Sequence, residues 1–211
     1  AGIQSVKTLE ESLGQSDNLI DYAASLSKLH QLIMAAPKQL LLIAESDKLA
    51  DCQKTIAQLW TEQNHTISQR FQPAPVRDKT KQLWVANTQV NFCAKAYPTV
   101  TVSHPDAAAL SVLGGFLRNG YLHRVIREQG GAYGGGASQD SAIAAFKFYS
   151  YRDPRLEETL NDFDQSIQWL LETDHEAEPL EQAILGVISG IDKPGSPAGE
   201  AKQTFHNRLF G

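Results

Sequence analysis

The segment with the most chemical promise is Gly130-Gly-Ala-Tyr-Gly-Gly-Gly136, in which five of seven residues are glycine, with Arg127 just ahead of it. A phosphate cradle needs strand, loop and helix in that order, so that loop amides and a helix N-terminus face the anion. Here a helical pattern precedes the loop and a strand pattern follows it, and no Gly-x-x-x-x-Gly-Lys-Ser/Thr occurs, so nucleotide binding is disfavoured. What remains is Tyr133, an aromatic flanked by small residues, and the Arg127 guanidinium. Both donate hydrogen bonds, and glycines let a backbone or ligand approach closely. Such a pair can act on a carbonyl or a developing oxyanion. The residues alone equally allow a plainer arrangement, with Arg127 complementing a helix C-terminus and Tyr133 packed on a sheet.

No other cluster competes. The histidines, at positions 30, 65, 104, 123, 175 and 206, make neither HExxH nor HxxEH. Asp174-His175-Glu176 with Glu178 is the one run of ligand types, and it reads as a solvated acidic turn. His123 reads as a surface or cleft-rim histidine. No Gly-x-Ser-x-Gly elbow is present, and Cys52 and Cys93 form no CxxC pair, so both are expected as buried free thiols. Taken by itself, the chain holds no complete active site.

The elements that must position Arg127 and Tyr133 follow from hydrophobic periodicity. Leu110, Leu113, Leu117 and Tyr121 form one helical stripe, broadened by Val112, Phe116, Leu122 and Ile126, which predicts a largely buried helix from Pro105 to about Glu128, started by Ser103 and Pro105. Gly114-Gly115 in its middle lowers helix propensity and therefore points to close backbone packing there. Ala142 to Tyr151 alternates as an aromatic-rich strand, and Val90 to Tyr97 as a half-buried one, with Gln82 to Ala86 as a further strand segment. Asp153-Pro154 starts an amphipathic helix running to about Glu172, and another spans Glu178 to Ser189.

Upstream, Leu19 to Met34 has helical spacing, Gln39 to Ala44 is a short apolar run typical of a buried strand, and Leu49 to Trp60 is helical again. Between Thr61 and Thr80 the chain turns polar, carries Pro73 and Pro75, and loses periodicity, which marks a linker. The balance of 19 basic and 24 acidic residues in 211 gives a net charge of −5, so no global positive field recruits nucleic acid. No apolar run approaches the roughly 20 residues of a membrane span. Expected partners therefore exclude nucleic acid and membrane.

Arg127-Glu-Gln-Gly-Gly-Ala-Tyr-Gly-Gly-Gly136, followed by Phe146-Lys-Phe-Tyr-Ser-Tyr-Arg-Asp-Pro154, Ile191-Asp-Lys-Pro194 and the terminal Leu209-Phe210-Gly211, resembles the C-terminal part of presequence proteases. These are zinc metallopeptidases of the insulinase (pitrilysin) superfamily, and the likeness extends over at least Lys81 to Gly211. The resemblance implies an α/β (α+β) fold, with an antiparallel-rich sheet and helices packed on one face. It also implies that residues 1–72 are the end of a preceding homologous domain plus linker, while 73–211 are most of a C-terminal domain cut short at its C-terminus.

In this family two halves close around an unstructured oligopeptide, and zinc is held in the first half by an inverted HxxEH motif and a downstream Glu. The second half supplies an Arg and a Tyr, which map onto Arg127 and Tyr133 as catalytic residues, with Gly130, Gly131, Ala132, Gly134 and Gly135 lining the substrate. Zinc polarises the scissile carbonyl and activates water in the complete enzyme. The chain alone is expected to bind no catalytic metal and to be inactive, its partners being the N-terminal half of the same polypeptide and the peptide. A non-catalytic peptide-binding or structural subunit of the superfamily is the alternative. The expected compartment is a bacterial cytoplasm, with mitochondrial matrix or chloroplast stroma as alternatives.

Overall fold

The computed structural model describes residues 3–13, 16–59, 78–193 and 195–210, and divides the chain into two compact units, Ala1–Ala74 with Gly195–Gly211 and Pro75–Pro194. The first contains α1 (Ile3–Leu13), α2 (Ser16–Ala35), α3 (Ser46–Leu59) and α7 (Pro197–Phe210). The apolar stripe of α2 is open, with Leu26, Leu29 and Ile33 all exposed. Gln39 to Ala44, expected as a strand, has no regular structure. A strand is held by its neighbours' hydrogen bonds, and no described strand lies beside this run. Cys52 is half-buried rather than buried. The linker expected between Thr61 and Thr80 lies mostly outside the described residues.

The second unit carries a sheet of three antiparallel strands in the order β1-β3-β2, where β1 is Ala94–Pro98, β2 Gly134–Asp140 and β3 Ala145–Tyr151. The fold is mixed α+β, with helices packed against the sheet. In β3 the side chains alternate: Phe146, Phe148 and Ser150 point into the core, while Tyr149 and Tyr151 stand exposed on the opposite face. The core joins Phe146 and Phe148 to Cys93, Leu117, Leu122, Ile126, Ala132, Ala137 and Phe163. Burial pushes the Cys93 thiol above its ordinary range, with the nearby Asp153 adding to the shift. At the far end of the β2–β3 hairpin, Lys147 Nζ donates to Asp140 Oδ2 at 2.7 Å and holds that carboxyl below the usual carboxylate range.

Gln82 to Ala86, expected as a strand, is irregular and exposed, whereas β2, which the sequence pattern did not predict, emerges from the glycine run itself. Glycine has little intrinsic strand preference, but Gly134, Gly135 and Gly136 pair with Tyr151, Ser150 and Tyr149. Close approach is the reason small residues are used here. A Cβ at Gly135 would stand 2.8 Å from Ile126 Cγ2.

The long helix begins as α4 (Ala107–Leu117), two residues later than expected, and its N-cap position is Asp106, not Ser103. His104 provides the local turn instead, its Nδ1 accepting from the Asp106 N–H at 3.1 Å. From Arg118 to Gln129 the helix continues with π-type hydrogen bonding. The close packing expected at Gly114 is present: a Cβ there would lie 2.9 Å from Ser138 Cα and 3.1 Å from the Ala137 carbonyl oxygen.

An exposed mid-helix Gly→Ala change gains up to about 1 kcal/mol of helix propensity. Gly114→Ala is expected to have the opposite sign, destabilising by about 1–3 kcal/mol, because β2 backbone cannot yield as a flexible side chain would. The urea midpoint, at unchanged slope, checks this.

The remaining helices are α5 (Glu157–Glu172) and α6 (Ala177–Ile191). The N-cap position of α5 is Leu156, with no side-chain cap. Asp153 acts one step earlier, its Oδ1 accepting from the Arg155 N–H at 2.9 Å and its Oδ2 from Thr159 Oγ1 at 2.7 Å. Trp169 on α5 lies over Gly120, where a Cβ would meet its Cη2 at 2.6 Å. His175, in the acidic turn, has Nε2 3.0 Å from the Leu170 carbonyl oxygen and its ring edge-on to Trp169.

Candidate active-site loop

Arg127 lies in the last turn of the π-helix and Tyr133 one residue before β2. The intervening chain is tied back tightly. The Gly131 N–H donates to the Arg127 carbonyl at 3.1 Å, and the Ala132 N–H to that of Ile126 at 3.1 Å. Gly131 has φ of +79°, a left-handed conformation that costs a side-chain-bearing residue about 1 kcal/mol or more. The Tyr133 N–H then donates to the Arg152 carbonyl at 3.3 Å, which joins the loop to the end of β3. Arg152 itself has φ of +50°.

The five small residues do different things. Behind Gly130 sits the Arg155 guanidinium, so close that a Cβ there would overlap its Nη2. That guanidinium is held, its Nη2 donating to the Val125 carbonyl at 3.1 Å and to Asp162 Oδ2 at 3.0 Å. Ala132 is buried, and Gly135 is packed on Ile126. Gly131 is exposed, and Gly134 has open space where a side chain would be. Gly130, Ala132 and Gly135 therefore hold the loop down, whereas a Cβ at Gly134 would meet open space.

Tyr133 is 70% exposed. Its ring stands edge-on to Tyr151 with centroids 5.8 Å apart, and Tyr151 stands edge-on to Phe92 at 5.2 Å. The Arg152 guanidinium carbon lies over the Tyr151 ring, 5.6 Å from its centroid. The contact of Tyr133 is thus through its ring, and most of the side chain stays exposed. Arg127 is exposed beside the loop, with Nη1 3.4 Å from His123 Nε2. The arrangement presents two hydrogen-bond donors, a phenol and a guanidinium, at the ends of a backbone turn whose own amides are tied back, which suits the carbonyls of an extended peptide.

Tyr151, Arg152 and Arg155 belong to this surroundings and were not singled out from the sequence. The outward parity of Tyr149 and Tyr151 in a strand pattern was the available signal; Arg155 had none. Among the described residues no group of three His, Cys, Asp or Glu is placed to hold a metal ion. No helix among the described residues is long and apolar enough to cross a membrane.

The second unit is thus an antiparallel α+β layer in which Arg127 and Tyr133 bracket the glycine-rich turn. The chain belongs to the family described as PreP C-terminal domain, which matches residues 81–211. Relatives include a protein of Kluyveromyces lactis named "Presequence protease, mitochondrial", 44% identical over 119 residues, 56% of this chain and 12% of that protein. A protein of Yarrowia lipolytica with the same name is 40% identical over 135 residues, 64% of this chain and 14% of its own length. One of Drosophila melanogaster, again so named, is 43% identical over 122 residues, 57% and 12% respectively. The matched part of the chain thus spans about one-eighth of the length of these relatives.

Proposed function

We propose that the chain is the C-terminal, substrate-binding and catalysis-completing portion of a zinc metallopeptidase that degrades unstructured oligopeptides in a closed chamber. The observation that carries this reading is the pinned turn between Arg127 and Tyr133, with both residues exposed at its ends. Tyr133 donates from its phenol to the substrate carbonyl as it becomes an oxyanion. Arg127 holds a neighbouring peptide carbonyl by charge-assisted hydrogen bonds, which orients the substrate. The metal belongs to the part of the polypeptide outside this chain, which is also its partner. The names of the relatives support peptide hydrolysis and favour a mitochondrial over a bacterial cytoplasmic compartment.

The test compares the complete polypeptide with this chain alone. The complete protein is expected to contain zinc and to cleave an unstructured peptide, with activity lost to a chelator, while the chain alone does neither. A complete protein that binds the peptide and leaves it intact would select the non-catalytic subunit instead.

A further inference from the structure

The His123 ring touches two charged side chains of its own helix. Nε2 is 3.4 Å from Arg127 Nη1, and Nδ1 is 3.3 Å from Glu128 Oε1. In an α-helix a residue four ahead lies about 40° round the axis from the first, but one five ahead lies about 140° from it, too far to face it. The π-type segment changes this. Bonding from each residue to the fifth beyond it brings position i+5 back over position i, next to i+4. The irregular helix therefore does something a regular one would not, placing Arg127 and Glu128 on either side of one imidazole.

From this geometry we infer that His123 is the positioning residue of Arg127, set in its role by Glu128. A carboxylate beside Nδ1 favours the tautomer protonated there, and that leaves the Nε2 lone pair to accept from the guanidinium. Arg127 is an exposed, flexible side chain, with many rotamers to choose among. One hydrogen bond from an anchored ring selects those that keep Nη1 on the His123 side and turn the rest of the fork toward the loop. His123 touches no reacting atom; its effect passes entirely through Arg127. The inference rests on Arg127 holding the peptide, and goes beyond it by naming what holds Arg127.

The test is a double-mutant cycle in the complete polypeptide, read as kcat and KM on an internally quenched unstructured peptide and, separately, as affinity for a labelled peptide by anisotropy. His123→Asn places its amide near the Nδ1 position and cannot reach Arg127, whereas His123→Gln carries an acceptor near the Nε2 position. Both are polar replacements at a half-exposed site, and the unfolding midpoint is expected to stay that of the parent.

His123→Asn is expected to lower kcat/KM and peptide affinity about tenfold, and His123→Gln to recover most of that. In an Arg127→Ala background neither substitution is expected to change anything by more than about twofold. A His123→Asn loss that persists undiminished in the Arg127→Ala background would mean a scaffold role and overturn the proposal. So would a His123→Asn protein equal to the parent while Arg127→Ala is impaired. Arg127→Ala with full activity and affinity would instead remove the role of Arg127, and the proposal with it.

Discussion

Replacing Tyr133 by phenylalanine in the complete polypeptide is expected to lower kcat about 10²- to 10³-fold, the effect of deleting one preorganised donor to an oxyanion. KM should change little, because the hydrogen bond matters most when charge has developed on the carbonyl oxygen. The structure makes this a clean substitution. Tyr133 is fixed by its backbone N–H to the Arg152 carbonyl and by the edge-on contact of its ring with Tyr151. Phenylalanine retains both, so only the exposed hydroxyl is lost and the unfolding midpoint should not move. Tyr133→Ala would remove the ring as well and confound the two contributions. A Tyr133→Phe enzyme turning over within a few-fold of the parent would show that the phenol is not the oxyanion donor.

Arg127 and Tyr133 stand out in the sequence because their chemistry is unusual for a glycine-rich stretch, and the structure places them at the two ends of one pinned turn. The amphipathic helices α5 and α6 were also legible, since their apolar residues repeat at helical spacing across four turns. Strand β2 was not legible. Its Gly134-Gly-Gly has no side chains from which to read alternation, and its pairing is dictated by β3, whose aromatic pattern was readable. The reverse failure occurred at Gln39 to Ala44 and Gln82 to Ala86, where apolar residues lacked a partner strand. Local pattern gives a candidate strand, but only a neighbour makes one.

Two features escaped for a deeper reason. The change from α to π bonding at Arg118 leaves no mark in the apolar spacing, so the joint contact of His123 with Arg127 and Glu128 has no signature there. Asp153 was read as a helix start because it precedes Pro154. Its actual work joins Asn91, Arg155 and Thr159, a grouping that periodicity cannot encode.

That work yields the second large effect: Asp153→Ala is expected to destabilise the protein by about 3 kcal/mol or more. Asp153 is fully buried. Its backbone N–H and carbonyl exchange hydrogen bonds with Asn91 at 2.9 and 2.7 Å, fixing the approach to β1. Its carboxylate meanwhile accepts from Thr159 on α5 and from the Arg155 N–H, with Arg155 Nε 4.0 Å away. Alanine would keep the backbone bridge and leave the Thr159 hydroxyl, itself fully buried, without its acceptor. The cost is dominated by those orphaned donors, not by the bonds lost as such, and this gives the prediction an internal control. Combining Asp153→Ala with Thr159→Val removes one orphan and should recover part of the loss, whereas independent contributions would simply add. Because the Arg155 guanidinium fills the space behind Gly130, relaxing it should also loosen the turn that carries Tyr133. Activity of the complete polypeptide is therefore expected to fall at temperatures where Asp153→Ala remains folded. A urea midpoint within about 0.5 kcal/mol of the parent would show that the buried carboxylate does not hold these segments together.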